Sequence, residues 1–188
     1  SIADGAVEII ERGVAVVGLE PSCLLTLRDE YKVLLPGGDA EKLADGALLF
    51  EEFVAREAEA GRFKPKLRAL PEKKALLHGH CHQKAFAVMS SVQKTLKLVP
   101  DLQVETVESS CCGMAGSFGY EAANVEVSRR MGELSLMPAV RAATDDTLVV
   151  ADGTSCRHQI ADGAARQAVH VACVLERALD KATDRTGD

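Results

Sequence analysis

Two stretches decide how this chain folds: residues 14–27 (VAVVGLEPSCLLTL) and residues 147–160 (TLVVADGTSCRHQI). Each is a short apolar run, a turn, and a Ser-Cys pair opening a helical pattern. Cys23 and Cys156 stand 156 − 23 = 133 positions apart. A short continuous run of Val, Leu and Ala suits a strand buried on both faces, as in a parallel sheet. Residues 75–77 are a run of the same kind, and residues 104–107 (VETV) are read as a further strand. Long helical patterns lie between them. One covers residues 39–60, where Leu43, Ala47, Phe50 and Val54 recur at helical spacing. Others cover residues 83–98 before Pro100, 121–136 before Pro138, and 171–182.

Alternating strands and helices predict an α/β class with mostly parallel, Rossmann-like sheets. The two opening stretches form a weak internal repeat, each followed by a further helix, ALLFEEFVAREAE in one case and VACVLERALDK in the other. Pseudo-repeated halves follow, the first truncated: residues 1–63 are the C-terminal part of one half, 64–74 a joint, and 75–188 a complete second half. The joint lies in a basic stretch, residues 61–74, with Pro65 and Pro71. The chain begins at Ser1 rather than at Met, which suits an excised piece of a longer polypeptide.

At 188 residues the chain can bury a core without disulfide staples. Its net charge of −6 and pI near 5.4 exclude the basic footprint of a nucleic-acid binder. With no Trp and 4% aromatics there is no base-stacking platform. No apolar run reaches membrane-spanning length, and no signal peptide opens the chain. Six unevenly placed cysteines do not resemble a secreted disulfide scaffold. They suit a reduced, cytoplasmic setting and metal or redox use.

Cys111 and Cys112 are adjacent in ESSCCGMAGSFGYE, residues 108–121. Such a pair is awkward as a disulfide and well suited to presenting two thiolates to a polynuclear metal centre. Cys81 lies in LLHGHCHQKAF, residues 76–86. In open parallel sheets, ligands collect beyond the carboxyl ends of the strands. Cys81, Cys111, Cys112, Cys156 and Cys23 each follow a predicted strand, so the topology carries all five to one rim. Cys23, Cys81 and Cys156 open helices, where thiolates are favoured. Gly113, Gly116 and Gly119 let the next loop turn N–H groups toward sulfur, Gly113 and Gly116 foremost. Their spacing matches neither a dinucleotide fingerprint nor a P-loop. Cys81, Cys111, Cys112 and Cys156 are the expected metal ligands. Cys23, His80, His82 and His158 are candidates for a further ligand or for hydrogen bonds around the centre. His78 and His170 are assigned to structural hydrogen bonds and Cys173 to the core. A Cys₄ or Cys₃His zinc site fits the same residues.

HGHCHQKA, ESSCCGMAGSFGYE and ADGTSCRHQI together resemble the cysteine-rich CCG domain family, whose members include one of the heterodisulfide reductase subunits and the iron–sulfur subunits of glycolate oxidation. The resemblance covers nearly the whole chain. It is most like the C-terminal region of large FAD-linked oxidases that resemble D-2-hydroxy-acid dehydrogenases. It implies a [4Fe–4S]-type iron–sulfur cluster carrying electrons from flavin to a downstream acceptor during oxidation of a 2-hydroxy acid. The partners implied are a flavin domain, with the FAD, and a ferredoxin-like segment of the same parent chain. The setting implied is cytoplasmic, or peripheral to the inner membrane through the acceptor. The chain departs from the family at Cys156-Arg157-His158-Gln159, where Cys-x-x-Cys is usual. The alternatives are a zinc-binding structural or docking domain and a heterodisulfide-reductase-like site.

Overall fold

The structure is a computed structural model that describes residues 2–35 and 37–180, with side chains from residue 5 onward. Four parallel strands form the main sheet: β3 (Lys74–His78), β4 (Gln103–Thr106), β5 (Thr147–Ala151) and β6 (Ala168–Val169), in the order β4-β3-β5-β6. A two-stranded parallel sheet joins β1 (Val16–Gly18) to β2 (Ala47–Leu49). The α/β class with parallel sheets is therefore what the chain adopts.

Strand alternation divides the core. Ala75, Leu77, Leu148 and Val150 point to one face, where they meet Val54, Val92, Leu96, Val171 and Val174. Those partners come from α5 (Phe50–Glu59), α7 (Met89–Leu96) and α11 (Val171–Ala178). Leu76, Val149 and Ala151 point to the other face and meet Leu136, Met137, Val140 and Ile160 of α9 (Leu136–Ala142) and α10 (Thr154–Ala164). Burial on both faces is why residues 75–77 and 148–151 are apolar throughout. Cys112 and Cys156 belong to this second face.

Each of the two opening stretches supplies a strand to a parallel pair. Val16 pairs with Ala47 and Val17 with Leu48, while Val149 pairs with Ala168 and Val150 with Val169. A helix precedes each first strand, α1 (Ile2–Glu11) before β1 and α9 before β5, and α5 and α11 follow the second strands.

Several predicted helices are divided. Residues 39–60 hold α4 (Gly38–Gly46), then β2, then α5. Ala47 and Leu49 are fully buried beside β1, and a three-residue strand inside an apolar helical pattern leaves no local signal. Residues 83–98 split into α6 (Cys81–Ala85) and α7, parted by Ala87 in the left-handed region at φ 56°. Residues 121–136 hold a turn and α8 (Val125–Glu133). Pro138 ends nothing: it is the third residue of α9, in the first turn, where a missing N–H costs no helical bond. The last helix stops at Ala178, and its predicted end at residue 182 lies outside the described residues. Leu179 forms an antiparallel bridge to Leu67, and Arg177 pairs with Glu72 at 2.6 Å, so the basic stretch lies along α11. Cys173 is exposed rather than part of the core. Val171, Val174, Leu175 and Ala178 form the buried stripe of α11, and position 173 falls off it.

Candidate metal centre

β3 delivers the first donors. After His78 the chain turns at Gly79, where a Cβ would collide with the Met89 sulfur. His80 then caps α6: its Nδ1 accepts from the His82 N–H at 3.2 Å, and its own N–H donates to Gln83 Oε1 at 3.0 Å. This box sets Cys81 at the first helical position, at the surface. Cys111 and Cys112 follow β4 in an extended loop, the first half-buried and the second buried. The loop needs glycine at 113: φ is +101°, and a Cβ would collide with the Ser128 carbonyl. The Gly113 N–H donates to Cys111 Sγ at 3.3 Å. Gly116 is also left-handed, at φ +66°. Cys156 sits buried in the first turn of α10.

The structure brings four of the cysteines together. The Cys81 thiol is pushed well up, first by its hydrogen bond to the Cys111 sulfur and then by burial. The Cys112 thiol is pushed up by hydrogen bonds to the Cys111 and Cys156 sulfurs. Cys111 is pulled far down by the Cys112 and Cys81 thiols and by backbone N–H groups. Cys156 is lowered to about 5, first by Cys112 and also by His78. Four sulfurs thus form a row from the surface inward, in which Cys111 and Cys156 are the two thiols drawn toward the charged form. The Nζ of Lys84 answers that charge. It donates to the carbonyls of Ser109 and, at 3.1 Å, Ser110, just before the pair. Burial lowers the Lys84 pKa, and the four sulfurs oppose that.

The other candidates have separate places. Cys23 is exposed on α2 (Pro21–Thr26), which packs on α6. His80 lies against the turn at Gly153, and burial depresses its pKa. His82 rests edge-on to the His80 ring. His158 Nδ1 is 2.7 Å from the Tyr120 hydroxyl. Gln159, at the position where Cys-x-x-Cys would place its second cysteine, donates its amide N–H groups to Ser128 O and Oγ at 3.2 and 3.1 Å. His170 keeps a structural role: Ala172 N–H donates to its Nδ1, so its Nε2–H donates to Leu19 O at 2.9 Å.

His78, assigned from the sequence to a structural hydrogen bond, stands at the centre. A ring nitrogen of His78 and the sulfurs of Cys112 and Cys156 lie within 4.8 Å of one another, all buried. Period-two alternation was the available signal, since it sets residue 78 on the same face as Leu76, at the carboxyl end of β3. A buried polar cluster behind α6 was also not anticipated. Gln83 Nε2 donates to Glu51 Oε1 at 2.5 Å and to Asp152 Oδ2 at 2.9 Å.

Such a thiolate and imidazole set fits zinc or an iron–sulfur centre. No family model matches the chain, and no solved structure matches it. Curated proteins do, among them dehydrogenases and a dehydrogenase subunit. One subunit of the anaerobic glycerol-3-phosphate dehydrogenase of Escherichia coli (strain K12) is 29% identical over 168 residues, 89% of this chain and 41% of that protein. D-2-hydroxyglutarate dehydrogenase of Haemophilus influenzae is 30% identical over 158 residues, 79% of this chain and 14% of that protein. The same enzyme of Pseudomonas putida is 33% identical over 159 residues, 79% of this chain and 14% of that protein. The chain thus spans less than half the length of these relatives. Among the described residues no helix is long and apolar enough to cross a membrane.

Proposed function

We propose that this chain is the iron–sulfur electron-transfer module of a flavin-linked oxidoreductase acting on a 2-hydroxy acid. The observation that carries the reading is the row Cys81, Cys111, Cys112 and Cys156, open at Cys81 and closed at Cys156. A metal centre so placed has a surface edge for electron exchange and an interior that excludes water. The iron–sulfur centre supplies one-electron storage when bound. The chain's own residues orient the sulfurs, and the Gly113 N–H and Lys84 stabilise their charge. Similarity to dehydrogenases supports the redox role. The flavin domain, the ferredoxin-like segment and the acceptor belong to the parent protein, with residues 1–63 and 75–188 as two related halves. Anaerobic reconstitution with iron and sulfide, followed by metal and sulfide assay and EPR, tests this. A folded chain that acquires no cluster rejects it.

Zinc is the second reading, favoured by spacing. Tetrahedral Zn–S bonds of ~2.3 Å put sulfurs roughly 3.8 Å apart, and the buried donors here lie within 4.8 Å of one another. Stability that follows zinc, with iron irrelevant, would select this reading.

A further inference from the structure

We propose that His78 is a nitrogen ligand, through Nε2, of the metal held by Cys112 and Cys156. This rests on the reading of the cysteines as a metal centre, and concerns which atoms complete it.

The ring is oriented from behind. His78 Nδ1 lies 2.9 Å from Ser109 Oγ, and the imidazole is 1% exposed. Lys84 Nζ approaches the same Oγ at 3.4 Å. A lysine ammonium has only donors, so the Ser109 hydroxyl oxygen serves as an acceptor there. If it also accepts Nδ1–H, the lone pair is left on Nε2, the pattern of a metal-binding histidine whose second nitrogen is held by a hydrogen bond.

The forward nitrogen, Nε2, is buried and makes no hydrogen bond of good geometry among the described residues; what the ring meets on that side is the Cys156 sulfur. A buried polar atom left unpaired in a native fold calls for an explanation. The buried donor group of His78, Cys112 and Cys156, all within 4.8 Å, provides one. His82 Nδ1 is also buried without a partner among the described residues, but it stands outside the group of donors within 4.8 Å of one another, and the other competing side chains are engaged elsewhere. Gln159 is tied to Ser128, His80 Nδ1 accepts from the His82 N–H, and His158 bonds Tyr120. The occupant is a borderline-soft cation that takes thiolate and imidazole together, as zinc and cluster iron both do.

Cadmium-113 NMR tests this on the whole chain, labelled with nitrogen-15 histidine and loaded anaerobically with cadmium ion alone. The expected result is one bound cadmium resonance split by a single imidazole nitrogen. The splitting should persist when His80, His82, His158 and His170 are each changed to Asn, which leaves His78 as its source. His78→Gln should abolish it and weaken cadmium retention by ~10-fold or more. If that variant does not fold, the wild-type splitting and the four control variants decide alone. Bound cadmium with sulfur ligands only would overturn the proposal and leave the metal centre standing, His78 then being an N–H donor to the Cys156 sulfur. A folded chain that retains no cadmium would overturn the metal centre itself, and this proposal with it.

Discussion

Glu20 caps the helix that carries Cys156: its Oε2 accepts from the Thr154 N–H at 2.9 Å and from Thr154 Oγ1 at 2.8 Å. The turn after β1 thereby holds the turn after β5, across 134 positions of sequence. Burial pushes the Glu20 carboxyl up, but the bonds from Thr154 and Ser22 outweigh it and hold its pKa below the ordinary value. Hydrogen bonds to a charged group contribute ~1.5–3 kcal/mol. Glu20→Ala should lower unfolding stability by about that much in urea titrations, and Glu20→Gln by less. An unchanged midpoint in Glu20→Ala would refute the role.

Glu51 makes stability fall with rising pH. Its side chain is fully buried, and Oε2 has no partner among the described residues. Burial, then the nearby Asp152 carboxylate, raises its pKa to about 8. The folded state therefore holds a proton that the unfolded state releases near 4.5. Its contribution is intact below 4.5 and is lost as pH rises toward 8, at up to ~1.4 kcal/mol per pH unit. Glu51→Gln should flatten that slope in urea titrations run from pH 5 to 8. An equal slope in the variant would assign the dependence to other groups.

Cys112→Ser should abolish metal retention while far-UV circular dichroism stays that of an α/β fold. Cys173→Ser should keep the metal and, because Cys173 is exposed on α11, keep stability within ~0.5 kcal/mol. Equal metal content in the two variants would contradict the ligand assignment.

Lys84→Met should loosen the loop before Cys111. It removes the donor to the Ser109 and Ser110 carbonyls and the cation beside four sulfurs. A stability loss of ~1–3 kcal/mol is expected from the unpaired carbonyls. If the centre is redox-active, its potential should become more negative, since a nearby cation favours the more reduced, more negative state. Potentiometry that finds no shift would remove Lys84 from the electrostatics of the site.

Much of this was legible in advance where the cause is local. Residues 75–77 and 148–150 are apolar throughout because both sheet faces are covered, and they form strands. The vicinal Cys111–Cys112 pair and Gly113 pointed to a loop aimed at a metal, and the Gly113 N–H does meet a sulfur. Strand β2 hid inside a helical pattern, because Ala47 and Leu49 satisfy either periodicity and only pairing with β1 selects one. His78 looked like one of three alternating histidines. Its place emerges only when β4 brings Ser109 behind the ring and α10 brings Cys156 in front.

Sequence alone determined the α/β class and the parallel sheets, since strand and helix periods and the turns between them are properties of neighbouring residues. Tertiary structure decided where the helices break, which imidazole faces the sulfurs, and how Gln83 comes to stand between Glu51 and Asp152. Those outcomes depend on pairing and burial between segments far apart in the chain, and a local pattern carries no record of which distant partner it will meet.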